Sequence, residues 1–225
     1  VSFGVIIAAA GQGTRMGASD KKQFISIQGK PVLFRSAQLF TQIPQIKEIV
    51  VVTNEEDIVR TEQMLADIAP LRVIAGGAER QQSVWYGLKV LKNVEFVLIH
   101  DAARPFPSRK LIEKIMASAR EEGGAVPAVP VKDTIKIVNG EGVVESTPPR
   151  QSLWAAQTPQ AFRLSTILTA HQQAQDKGFV GTDDSMLMEW QGHRVVLVEG
   201  EYTNIKLTTP EDLKLGETIL EQRRG

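Results

Sequence analysis

Apolar and polar positions along the chain fall into two alternating patterns. Short apolar runs at Phe3–Ala9, Glu48–Thr53, Arg72–Ile74, Phe96–His100, Ala125–Val131 and Arg194–Val198 read as buried strands. Between them, apolar residues recur at helical spacing. They predict helices from Pro31 to about Phe40, over Ser83–Leu91 and over Ser108–Arg120. Pro31 suits a first helical turn, where a missing N–H costs nothing. Asn54 is placed to cap a helix opening with Glu55, Glu56 and Asp57, whose charges suit the helix dipole. Thr209-Pro210-Glu211-Asp212 supplies a cap, a proline and an acid at the third position, so a last helix begins there. Strands alternating with helices predict an α/β fold whose mostly parallel sheet is covered on both faces. Ligands of such sheets sit at the carboxyl ends of strands, and the unusual sequences of this chain lie at those ends.

One stretch departs from this rhythm. Asp133–Val138 and Gly142–Ser146 alternate residue types around Asn139-Gly140-Glu141-Gly142, which predicts a β-hairpin. It continues into Thr147-Pro148-Pro149-Arg150, poor material for a core. A protruding hairpin has unpaired edges and an uncovered face. The expectation is an arm, about 133–157, that packs on a second subunit; the alternative is a hairpin folded back on its own chain.

Composition narrows the function. The 225 residues suit one sizeable domain over 1–225. Basic and acidic residues balance at 26 each, so no global field draws nucleic acid or an anionic membrane, and neither is expected as a partner. An anionic ligand must then be held by local cations. The sequence has no cysteine, which excludes disulfides, thiolate catalysis and Cys-based metal sites. No apolar run has membrane-spanning length and no leader pattern opens the chain, so a cytoplasmic protein is expected.

The strongest motif is Ala8-Ala9-Ala10-Gly11-Gln12-Gly13-Thr14-Arg15-Met16-Gly17, directly after the first strand. Small residues let backbone approach a ligand, and successive N–H groups in a glycine loop form an anion nest. The P-loop pattern is absent, and the third glycine comes one residue late for a dinucleotide fingerprint. Arg15, with Lys21 and Lys22 shortly after, suits a triphosphate being cleaved; the plain alternative is a strand-to-helix turn with solvated charges.

Other strand ends add to this. Gly76-Gly77-Ala78-Glu79-Arg80-Gln81-Gln82-Ser83 offers backbone and side-chain hydrogen bonds to a flat base edge, or is a simple glycine turn. His100-Asp101-Ala102-Ala103-Arg104-Pro105 ends a strand with a carboxylate able to hold Mg²⁺ or a ribose hydroxyl, followed by Arg104 for a phosphate. An Asp–Arg pair ordering the turn is the alternative. His100 reads as a turn or core residue. His171 and His193 stand among polar neighbours at no metal spacing, and none of the three reads as catalytic. Thr182 can cap a helix. Lys206 reads as part of a short strand, pointing to solvent or to an anion.

The run Gly-x-Gly-Thr-Arg-Met followed by a lysine resembles nucleoside-triphosphate transferases. His-Asp-Ala-Ala-Arg-Pro at 100–105, Val-x-Asp-Thr at 131–134, Thr-Pro-Gln at 158–160 and Asn-Ile-Lys-x-Thr at 204–208 sharpen this. In order and spacing the chain resembles the 2-C-methyl-D-erythritol 4-phosphate cytidylyltransferases of non-mevalonate isoprenoid synthesis. The resemblance implies a three-layer sandwich of the nucleotide-diphospho-sugar transferase type and a homodimer joined by the hairpin arm. It implies CTP and a polyol phosphate as substrates, with Mg²⁺ or another divalent cation. Arg15 and Lys22 would steady the transition state, with Arg150 and Lys206 also in the catalytic set. Ala8, Ala9, Ala10, Gly11 and Gly13 would hold CTP, with Gly77, Arg80 and Ser83 at cytosine and Asp101, Ala102 and Ala103 near ribose and metal. Arg104, Thr158, Thr182 and Lys206 would hold the acceptor, joined by Thr134 and Arg150 from the partner's arm. Two departures stand out: Lys21-Lys22-Gln23 replaces Pro-Lys-Gln, so either lysine can be the catalytic one although position favours Lys22, and Ala78 replaces an aspartate.

The acceptor's phosphate monoester has a second pKa of about 6, so it is largely dianionic at neutral pH and needs no general base. Catalysis then reduces to positioning and charge neutralisation. A ribitol 5-phosphate cytidylyltransferase and a non-catalytic CTP-binding sensor remain the rival readings.

Overall fold

A computed structural model of the protein describes residues 1–11 and 21–223. Arg15 and Gly13 lie outside the described residues. In chain order the elements are β1 (Phe3–Ala8), β2 (Ser26–Ile27), β3 (Lys30–Pro31), α1 (Val32–Gln38), β4 (Ile46–Thr53), α2 (Ile58–Met64) and β5 (Leu71–Ala75). There follow α3 (Arg80–Val90), β6 (Phe96–Asp101), α4 (Arg109–Glu122), β7 (Gly124–Pro130), β8 (Ile137–Val138), β9 (Val144–Ser146) and β10 (Trp154–Ala156). The chain then forms β11 (Gln160–Arg163), α5 (Leu164–Asp176), α6 (Asp184–Trp190), β12 (Val196–Glu199) and α7 (Pro210–Gln222).

The main sheet runs β7-β11-β6-β1-β4-β5, with β10 and β12 also paired to β7. Strands β5, β4, β1 and β6 are mutually parallel, as is β12 with β7. Strand β11 enters antiparallel to both β6 and β7. Successive strand residues feed opposite cores. Val5, Ile7, Ile49, Val51 and Leu98 pack with α1 and α4 residues such as Leu33 and Ile112. Ile6, Val50, Val52, Val97 and Ile99 pack with α3, α5 and α6 residues such as Val84, Ile167 and Leu187. Burial on both faces explains why these strands read as unbroken apolar runs, and the mostly parallel α/β sandwich is as expected.

Local chemistry sets the helix ends. Thr209 and Asp212 form a full capping box at α7, and the Ser108 hydroxyl accepts from Leu111 N–H at the start of α4. Asn54 departs from expectation. Its side chain donates to Asp57 instead of capping, and a 3-10 turn over Glu55–Asp57 precedes α2. Helix α3 begins at Arg80, ahead of the expected Ser83.

The hairpin forms with Ile137 opposite Ser146 and Val138 opposite Val144. Asn139 Oδ1 accepts from the N–H groups of Glu141 and Val143, and Gly142 takes a φ of 80° to close the turn. Ile135, Ile137, Val138, Val143 and Val144 are all exposed along it. Among the described residues no helix is long and apolar enough to cross a membrane.

Candidate active site

Strands β1 and β6 run side by side and end together at Ala8 and Asp101, so the segments following them emerge at one edge of the sheet. Ala9 N–H continues the ladder to Val52, and Ala102 N–H reaches the Ala8 carbonyl. A cavity opens there. It is lined by Ala8, Ala9, Ala10, Gly11, Lys22, Gly77, Arg80, Ser83, Asp101, Ala102, Ala103 and Lys206, all of them expected site residues. Ala78 and Glu79, of the glycine run expected at the base edge, line it as well, as does Gln23, for which the sequence points to no role.

The glycine turn before α3 is shaped by close packing. A Cβ at Gly76 would come within 2.8 Å of Ala10 Cβ and 2.6 Å of Ser83 Oγ, so only glycine lets the two loops meet. The Ser83 hydroxyl accepts from Gly77 N–H at 3.1 Å and donates to the Glu79 carbonyl at 3.1 Å. Its visible work is therefore to hold the turn whose backbone faces the cavity.

The two adjacent lysines separate. Lys21 reaches the carboxylates of Glu56 and Asp57, and none of these three lines the cavity. Burial alone would lower its pKa, and these partners raise it. Lys22 lines the cavity. The buried Gln23 donates to the Ala9 carbonyl at 3.0 Å, tying the turn that carries Lys22 to the end of β1.

Asp101 is the electrostatic centre. Its Oδ1 accepts from Arg80 Nε at 3.0 Å and its Oδ2 from Lys206 Nζ at 2.8 Å. Burial opposes its charge, but Arg80 and Lys206 outweigh that and hold the carboxyl well below the usual range. Arg80 extends the network inward: its Nη1 lies 2.8 Å from Asp184 Oδ2, and Asp184 Oδ1 lies 3.1 Å from His171 Nε2. Two guanidinium nitrogens of Arg80 are thus taken by carboxylates, which limits what it can offer a base. His171 corrects the expectation of polar surroundings: it is buried and stacks on Trp85 with ring centroids 6.3 Å apart. Its neighbours in sequence are polar, but α5 turns it onto the core together with Ile167, Ala170 and Ala174.

The residues expected around the acceptor stand differently. Arg104 is half-buried, with Nη1 donating to the Asn204 carbonyl at 2.8 Å and a buried Nε that has no partner among the described residues. Burial lowers its pKa. Thr158 is buried, and its hydroxyl is engaged by Asp101 N–H and His100. Thr182 is exposed and does not cap α6; Asp183 does, accepting from Met186 N–H, because its carboxylate is the stronger acceptor there. Thr134 and Arg150 are exposed on the arm, and Arg150 Nη1 donates to the Lys132 carbonyl at 2.8 Å. These five residues do not line the cavity among the described residues. Residues 204–208 are not a strand, contrary to expectation. The segment is held at Asn204, which bonds to Arg104 and Thr158, and by Leu207 N–H to the Ala103 carbonyl at 2.9 Å, while Thr208 and Thr209 turn to Asp212 at the cap of α7. This still brings Lys206 to the cavity.

Among the described residues no three His, Asp or Glu side chains cluster as a metal site. One carboxylate still fits Mg²⁺, which keeps waters and phosphate oxygens as its other ligands. Asp101 lies at the cavity, where it can serve once Lys206 turns to another anion.

The sheet, the glycine loop at its first strand and the cations at neighbouring strand ends mark a nucleotidyltransferase of the α/β type. Residues 3–222 match the family described as 2-C-methyl-D-erythritol 4-phosphate cytidylyltransferase, and the chain belongs to that family. It is 48% identical over 229 residues to the 2-C-methyl-D-erythritol 4-phosphate cytidylyltransferase of Bacillus velezensis, covering 100% of this chain and 98% of that protein. Identity to the protein of that name from Halalkalibacterium halodurans is 49% over 229 residues, covering 99% of each. The crystal structure of 4-diphosphocytidyl-2C-methyl-D-erythritol synthase from Anaerococcus prevotii matches with a TM-score of 0.87 and 33% identity, over 98% of this chain and 96% of that one.

Proposed function

We propose that this chain transfers CMP from CTP to 2-C-methyl-D-erythritol 4-phosphate, releasing pyrophosphate. The observation that carries the reading is the convergence of Lys22 and Lys206, from opposite ends of the chain, on one cavity beside the small-residue loop Ala8–Gly11. An acceptor phosphate oxygen forms the new bond to the α-phosphorus of CTP. The bond from that phosphorus to the β-bridging oxygen breaks, and its electron pair leaves with pyrophosphate. Atoms and charge balance without a proton transfer at the nucleophile.

Ala8–Gly11 and Gly77 bring backbone to the nucleotide, while Lys22 and Arg15 oppose charge at the reacting phosphate. Lys206 and Arg104 attract the acceptor dianion. Magnesium, when bound, neutralises triphosphate charge, and Asp101 is the residue proposed to hold it. Preorganised cations of this kind act on charge that develops in the transition state.

The homodimer belongs to the same proposal. The arm carries Ile137, Val138, Val143 and Val144 in the open, and a two-stranded hairpin with exposed apolar residues gains stability by covering them. In the dimer, Thr134 and Arg150 of one protomer would complete the acceptor site of its partner. A cytoplasmic location follows from the same reading, because both substrates are phosphorylated and do not cross membranes unaided.

The test is pyrophosphate release from CTP with methylerythritol phosphate and with ribitol 5-phosphate as separate acceptors. The reading expects rapid release with the first alone. Release with ribitol 5-phosphate only, or CTP binding with no release, would replace it with one of the rival activities.

A further inference from the structure

The acceptor-side residues come from three distant stretches of chain, and a closed loop of hydrogen bonds joins them. His100, fully buried at the end of β6, has its Nε2 2.8 Å from the Arg104 carbonyl and its Nδ1 3.0 Å from the Thr158 hydroxyl. Asn204, equally buried, donates from Nδ2 to the Thr158 carbonyl at 3.0 Å, and its own carbonyl accepts from Arg104 Nη1 at 2.8 Å. The circuit therefore runs from His100 to Thr158, Asn204, Arg104 and back to His100.

Donor and acceptor roles follow from the partners. A carbonyl only accepts, so the proton of the imidazole sits on Nε2. Nδ1 then accepts from the Thr158 hydroxyl, whose oxygen in turn accepts Asp101 N–H at 3.0 Å. Both ring nitrogens are thus taken, by a carbonyl on one side and a hydroxyl on the other, and this fixes a single neutral tautomer. We infer that His100 is a positioning residue for the acceptor: its Nε2–H and Nδ1 fix the Arg104 turn and the Thr158 side chain relative to each other, and so set the acceptor-binding geometry. Packing alone does not require histidine here, since the ring's aromatic contact is an edge-on approach to Phe40 at 5.3 Å. The inference rests on the proposed two-substrate reading, because it assigns His100 to the polyol phosphate and not to CTP.

Two isosteric variants separate the roles. In His100→Gln the amide nitrogen stands where Nε2 stood and can still donate to the Arg104 carbonyl. In His100→Asn the shorter side chain cannot reach it. For His100→Asn, acceptor kcat/KM is expected to fall roughly ten- to a hundredfold, the cost of leaving a buried polar group unpaired, with the KM for CTP near that of wild type. His100→Gln should recover most of the loss. Equal damage by Gln and Asn, equal shifts in both substrates, or wild-type kinetics in both variants would each overturn the inference. If His100→Asn does not fold, the wild-type imidazole is read instead by ¹⁵N NMR: its ring nitrogen resonances are expected to move when the polyol phosphate is added and to stay when CTP is added, and no movement with the polyol phosphate would overturn the role. The split is read with whichever polyol phosphate the wild type turns over, so a wrong acceptor and a failed positioning role give different outcomes.

Discussion

Lys206 Nζ lies 2.8 Å from Asp101 Oδ2, so the cation proposed to meet the acceptor is held by a carboxylate until the acceptor arrives. A phosphate dianion carries more charge than that carboxylate and can take the lysine from it. Lys206→Ala should therefore lower acceptor kcat/KM by roughly a hundredfold, the scale for one preorganised donor. The side chain is 39% exposed, so folding should be little changed. Steady-state kinetics with each substrate varied in turn checks this, and an unaltered acceptor KM and kcat would remove Lys206 from the site.

The neighbouring lysines give a paired prediction. Lys22 lines the cavity, whereas Lys21 meets Glu56 and Asp57. Lys22→Ala should lose roughly a hundredfold in kcat while Lys21→Ala stays near wild type. The reverse ranking would transfer the catalytic assignment to Lys21.

Asp184 is 1% exposed and receives both Arg80 and His171. Removing one partner of a buried ion pair strands the other, at a cost of about 3 to 5 kcal/mol. The lower end applies to Asp184→Ala, because Arg80 keeps Asp101 and some contact with water. Chemical denaturation gives the value, and a loss well below 1 kcal/mol would mean that the network adds little to stability.

Stability should also depend on pH in a predictable direction. The His100 pKa falls from 6.5 to about 4 on folding, so between those values the unfolded chain binds a proton that the folded chain excludes. Its contribution is complete above pH 6.5 and is lost as pH falls towards 4, on the order of 3 kcal/mol in all. Asp101 and Asp184, with lowered pKa values, contribute above the ordinary carboxylate value of 3.8 and lose that contribution at lower pH. Urea midpoints recorded from pH 7 to 4 should fall steadily, and His100→Gln should flatten the upper part of the curve. A flat wild-type curve from pH 6.5 to 4.5 would contradict the buried neutral histidine.

The proposed sharing of the acceptor site between two protomers predicts complementation. Arg15→Ala and Arg150→Ala should each be inactive alone, yet a mixture allowed to exchange subunits should regain activity. In that mixture one of the two sites escapes both lesions. No recovery in a mixture with proven exchange would count against the arm reaching its partner's site.

What the sequence made legible follows from where burial is continuous. Strands β1, β4 and β6 are apolar on both faces, and the glycine and His-Asp-Ala-Ala-Arg runs at their ends were found with them. Strands β10 and β11 are not legible in the sequence because each is short and Pro159 stands between them. The Ser, Thr and Gln residues of helix α5 hide its pattern, although Ile167, Ala170, His171 and Ala174 keep helical spacing. Partners far apart in sequence were invisible. Nothing near Arg80 announces Asp184, 104 residues away, and nothing near Thr158 announces Asn204. Such pairs exist only once the sheet has brought its edges together.

The third apolar cluster has a consequence for limited proteolysis. Ile219 of α7 packs with Ile27, Val32, Phe106 and Leu207, and Arg223 reaches the Phe106 carbonyl at 2.5 Å. Leu207 adjoins Lys206, so α7 braces the segment bearing that lysine. A molecule trimmed of α7 keeps every strand of the sheet and the nucleotide-facing loops, but Lys206 loses part of the packing behind it. Trimming should therefore weaken engagement of the second substrate before it touches nucleotide binding.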